Sequence, residues 1–80
     1  MKMHDDELQL LADVTLLGIL KKEPDESIDD VLLILCETGM YTLKEAKAVL
    51  KYLRKNDYLA NGALTVKGML RAKEAEMKFQ

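Results

Sequence analysis

Lys44, Lys47, Lys51, Arg54 and Lys55 all fall within fourteen residues of a chain whose net charge is −2. At about 100° per residue, with Leu43 at zero, they occupy an arc of a helix from about 20° to about 120°. Ala46, Val49, Leu50 and Leu53 gather on another side, near 300°. The pattern predicts a helix with one dry face and one positive face. Grouped cations on an exposed helix neutralise phosphates and release their counterions, which is affinity without sequence information. The second reading of such a stripe is a solvated face, held in part by acidic segments elsewhere in the chain.

Other residues offer less chemistry. The single histidine, His4, stands near the start of the chain, and the single cysteine, Cys36, falls within an apolar helical segment. The two do not make a nucleophile–base pair, and Cys36 reads as a structural thiol. Asp25, Glu26, Asp29 and Asp30 are close together but lack the central glycine and closing glutamate of a calcium loop. Helix capping accounts for them better than a metal does. Gly18, Gly39, Gly62 and Gly68 form no phosphate-cradling loop. The chain is predicted to be neither an enzyme nor a metalloprotein, to use no cofactor, and to hold no evident small-molecule pocket.

Four helices and a hairpin must position the basic stripe. Eighty residues, 49% apolar and 32% charged, suit one globular domain over 1–80. "DELQLLADVTLLGILKK" predicts a first helix over about 6–22, apolar around most of its circumference and therefore covered on more than one side. Pro24 ends that pattern. Ser27 and Asp30 resemble a capping box opening a second helix over about 28–38, which Gly39 closes. Thr42 and Glu45 form a full Thr-x-x-Glu box for the third helix, about 43–56. Leu43, Ala46, Leu50 and Leu53 are expected to hold that helix on the core through Leu32, Leu35 and the first helix. Asn61-Gly62 between apolar residues predicts a type I′ hairpin over about 58–64, with strands of about three residues. A fourth amphipathic helix, about 66–78, follows from Val66, Leu70 and Met77 on one stripe with Met69 beside it.

Charge is unevenly divided along this order. Residues 1–40 hold three basic and ten acidic side chains, a balance of −7, and residues 41–80 hold nine and four, a balance of +5. Such polarity predicts halves that attract each other or meet different partners. With no signal segment and no membrane-spanning run, the chain is expected to be soluble and cytoplasmic.

Helix, helix, tight turn, helix, short hairpin, helix is the order of a winged helix-turn-helix domain, mostly α with a minimal wing. "VLKYLRKNDYLANGALTVKG", and within it Leu64-Thr65-Val66-Lys67-Gly68, resembles a stretch of small bacterial regulators of the MarR and PadR types. That resemblance spans roughly residues 8–76 and implies a DNA-binding transcriptional regulator. It would direct Lys44, Lys47 and Lys51 of the third helix to the major groove, with Tyr52 beside them. Arg54 and Lys55 would contact phosphates, and Asn61-Gly62 would form the wing tip. It also implies a homodimer through the first and fourth helices. Two features suit a winged-helix module that binds protein instead. The hairpin lacks Lys and Arg, and "EPDESIDD" puts five acidic residues at the start of the second helix.

Overall fold

A computed structural model describes residues 5–79; the N-terminal segment with His4 lies outside the described residues. The elements run α1 (Asp5–Lys21), α2 (Ile28–Glu37), α3 (Leu43–Lys55), β1 (Leu59–Ala60), β2 (Ala63–Leu64) and α4 (Val66–Lys78). The molecule is thus mostly helical with one short antiparallel hairpin. The expected boundaries hold to within one residue, and the strands are two residues long rather than three.

Local chemistry ends each helix where the side chains allow. Ser27 Oγ accepts from the Asp30 N–H, and the Asp30 carboxylate accepts from the Ser27 N–H. Thr42 and Glu45 repeat the arrangement at α3. Each box satisfies two backbone donors that a helix start otherwise leaves open. α2 closes in a Schellman motif through Gly39: Met40 N–H donates to Leu35 O and Gly39 N–H to Cys36 O, both at 3.0 Å. The end of α3 is built alike, with Tyr58 N–H to Leu53 O and Asp57 N–H to Arg54 O. Here the left-handed position is taken by Asp57, at φ 65°. Between the strands, Asn61 (φ 54°) and Gly62 (φ 75°) give the two positive values that a type I′ turn needs. Leu59 pairs with Leu64 and Ala60 with Ala63.

α1 is the central element and packs against each of the other three helices. Ala12, Leu16 and Ile19 of α1 meet Val31 and Leu32 of α2 and Ala46, Val49 and Leu53 of α3, with Tyr41, Leu59 and Ala72 completing the core. Leu16, Val49 and Leu53 are wholly buried; burial of such a side chain contributes about 1.5–3 kcal/mol relative to exposure. Leu8, Leu11 and Leu20 are half-buried against the same core, so most of the apolar girdle of α1 is covered within one chain. Cys36 and Leu35 are half-buried there as well.

Two polar side chains of α1 are buried and both are satisfied. Thr15 Oγ1 donates to Leu11 O at 2.8 Å, which leaves the Tyr41 hydroxyl as donor to Thr15 at 2.9 Å. Burial pushes the Tyr41 phenol above its ordinary value. Asp13 accepts from Arg71 Nε at 2.8 Å and Nη2 at 3.3 Å, and Lys78 lies 3.5 Å away. With Lys21–Glu76 at the far end, these pairs fasten α4 along α1.

One expected core contact is corrected. Leu43, the first residue of α3, is 54% exposed and does not hold that helix on the core. The apolar stripe of α4 is also turned outward: Val66, Leu70 and Met77 are 75%, 60% and 75% exposed, and Met69 is exposed beside them. The buried side of α4 is Gly68, Ala72 and Ala75. Small side chains let two helix backbones approach closely, and the Asp13–Arg71 pair at the edge of that contact holds the helix in this rotation.

Candidate nucleic-acid interface

The capping box at Thr42 and the Schellman turn at Asp57 fix α3 at both ends, and Ala46, Val49 and Leu53 press one side of it into the core. The opposite side is left to water. Lys44, Lys47, Lys51, Arg54 and Lys55 are all exposed there. Lys44, Lys51 and Lys55 form one row, and Lys47 and Arg54 a second. At 1.5 Å rise per residue the longer row extends about 16 Å along the helix axis.

Among the described residues none of these five cations forms an ion pair. The pairs that do form join α1 to α4, through Asp13, Arg71, Lys78, Lys21 and Glu76. Among the described residues, no carboxylate of the acidic N-terminal half forms an ion pair with the stripe of α3. Glu45, the acid within α3, is held in its capping box.

The hairpin lies against the C-terminal half of α3. An open groove of about 350 Å³ runs between the start of α2, α3 and the hairpin tip. Its floor is Ile28, Leu50 and Leu59, and Arg54, Asn61 and Gly62 stand along it. The structure thus brings three of the sequence-predicted site residues together, while Lys44 begins the opposite end of the helix. Leu50, expected in the core, is half-buried and lines this groove. Tyr52, also half-buried, packs against the core and not among the lysines.

Three features of the site are missed by spacing alone. Lys22, Glu26 and Asp29 share the groove with Arg54, so carboxylates stand near the hairpin tip. The acidic run "EPDESIDD" is the signal that could have found them. Met40 and Leu43 are exposed at the N-terminal end of the basic stripe and give it an apolar margin. Finally, Lys67 Nζ donates to Asn56 O at 2.9 Å and lies 5.0 Å from the Tyr58 ring centroid. Thr65 Oγ1 donates to Asp57 O while accepting from Gly68 N–H. The Leu64–Gly68 segment is thereby a clamp joining α4 to the end of α3.

The described residues contain no cluster of three or more candidate metal ligands, and no helix long and apolar enough to cross a membrane. Comparison with protein-family models, curated proteins and solved structures found no match to this chain.

Proposed function

We propose that this chain is a winged helix-turn-helix protein that binds duplex DNA, acting as a small cytoplasmic transcriptional regulator. α3 is its groove-facing helix and the β1–β2 hairpin its wing. The observation that carries the reading is the exposed stripe of five cations on α3, none of them paired with a carboxylate among the described residues. Supporting it, α2 and α3 are joined by a tight capped turn, and the hairpin tip stands beside Arg54. Lys44, Lys47 and Lys51 face the duplex, with Arg54 and Lys55 on phosphates.

The chemistry favours backbone over bases. Sharp base discrimination comes from bidentate Arg, Asn or Gln contacts, whereas the outward positions of α3 are mostly Lys. Affinity then rests on counterion release, and four or five neutralised phosphates give a log–log salt slope of roughly −3 to −5 per protomer.

Fluorescence anisotropy with a mixed-sequence labelled duplex, repeated from low to moderate salt, tests this. The wild-type chain is expected to bind with that slope, and a Lys47→Glu/Lys51→Glu variant to lose retention altogether while keeping its circular dichroism. Absence of binding at low salt would sink the DNA reading. The second reading, a winged-helix module that docks a protein, rests on the apolar margin at Met40 and Leu43 and the carboxylates at the hairpin tip. Under it, the same charge reversal leaves nucleic-acid behaviour unchanged and removes a protein partner in a pull-down.

A further inference from the structure

The groove between the start of α2, the C-terminal half of α3 and the hairpin holds about 350 Å³, within the range of small-ligand sites. Its floor is apolar: Leu59 is buried, and Ile28 and Leu50 are half-buried. Its rim carries both signs of charge. Asp29 belongs to the first turn of α2 and Arg54 to the last turn of α3, so each suits the dipole of its own helix end. Lys22 and Glu26 stand in the same groove. Among the described residues no ion pair joins either of these cations to either carboxylate. The Glu26 carboxylate is engaged within its own loop, accepting from Glu23 N–H at 2.8 Å, whereas Asp29 is exposed.

We infer that this groove binds a free α-amino acid with an aliphatic side chain. Arg54 takes the carboxylate, its planar fork matching the two oxygens. Asp29 takes the ammonium, and the side chain lies on Ile28, Leu50 and Leu59, out of water. Ligands of other charge are selected against. An anion would meet Asp29 and Glu26, a cation would meet Lys22 and Arg54, and a neutral apolar molecule would cover the floor while leaving the rim unpaired. A zwitterion with an apolar group complements rim and floor together.

The groove is open, so its charges keep part of their water and the affinity is low, with a Kd of about 1 mM. Arg54 is also the residue that the DNA reading sets on phosphate. Neither reading needs the other, however, and the test contains no nucleic acid.

Titration of the isotope-labelled full chain with L-isoleucine up to about 20 mM, followed by amide and methyl NMR shifts, reads the site directly. Saturable shifts are expected at Ile28, Leu50, Leu59 and the Asn61-Gly62 tip. L-isoleucinamide lacks the carboxylate and 3-methylpentanoate lacks the ammonium; each is expected to bind about tenfold more weakly, as is glycine, which lacks the side chain. Arg54→Gln and Asp29→Asn alter exposed positions and keep wild-type circular dichroism. Arg54→Gln removes the preference for isoleucine over its amide, and Asp29→Asn removes the preference over 3-methylpentanoate. A wild-type chain without saturable shifts at the top of the range overturns the proposal, as do shifts confined to residues outside the groove. Amide and acid that bind as well as the amino acid overturn the charge assignment, and so do variants that keep the wild-type preferences.

Discussion

Gly68→Ala reverses the usual rule for helices. Alanine in place of glycine within a helix ordinarily contributes up to about 1 kcal/mol of stability. At position 68 the added methyl would lie 2.1 Å from the Tyr58 carbonyl oxygen, 3.0 Å from its carbonyl carbon and 3.2 Å from Leu64 Cδ2. A carbon–oxygen contact settles at about 3.3 Å or more, so the start of α4 and the Tyr58 backbone must part by roughly 1.2 Å. That distance breaks the clamp. Thr65 N–H to Tyr58 O at 3.1 Å, Thr65 Oγ1 to Asp57 O, and Lys67 Nζ to Asn56 O at 2.9 Å all cross the same junction. At about 1 kcal/mol each, with the helix propensity offsetting part, the net cost is about 2–4 kcal/mol. In a domain of this size the midpoint of thermal unfolding falls by about 10–25 °C. Circular dichroism during thermal and urea unfolding measures it, with Gly18→Ala as the control. There the new methyl meets Val31 Cγ1 at 3.0 Å, the end of a side chain that can shift, and the change stays within about 1 kcal/mol. A Gly68→Ala protein as stable as the wild type would refute the close approach of α4 to Tyr58.

Leu53→Ala, at a wholly buried position, is expected to cost about 2–5 kcal/mol and unfold much of the population, as urea titration would show. Leu50→Ala, at the half-buried groove position, costs about half of that and leaves a folded protein. Asp57→Gly replaces a side chain held at φ 65° and raises the melting temperature by about 2–6 °C; a lower one would contradict the Schellman geometry. Because the Tyr41 phenol is raised above 10.0, its contribution to stability is complete below pH 10 and lost as pH climbs through the raised value. Tyr41→Phe therefore flattens the alkaline fall in stability, and absorbance at about 295 nm shows the phenolate of Tyr41 forming above the ordinary phenol range.

The basic arc of α3 was legible because a helix that buries Ala46, Val49 and Leu53 must turn Lys44, Lys47, Lys51, Arg54 and Lys55 outward. Wheel position, however, could not say whether residues at the border of that arc reach a neighbour. Leu43 lies at the same border as Leu50, yet only Leu50 has β1 and the start of α2 beside it. The site's acidic rim was legible as a run of letters and not as a place, since only folding sets Glu26 and Asp29 across a groove from Arg54.

By itself the sequence determined everything that is closed over three to six residues. The capping boxes at Ser27 and Thr42, the turn at Gly39 and the Asn61-Gly62 hairpin depend on side chains and backbone groups that are near neighbours in the chain. Tertiary structure decided which face of α4 is inside. Periodicity marks Val66, Leu70 and Met77 as the apolar side, but the side of α4 turned inward is Gly68, Ala72 and Ala75. A close backbone approach, the clamp to Tyr58 and a carboxylate at Asp13 that must find its arginine outweigh the transfer of three larger side chains from water. Those terms join residues as much as 58 positions apart, and no local pattern carries them.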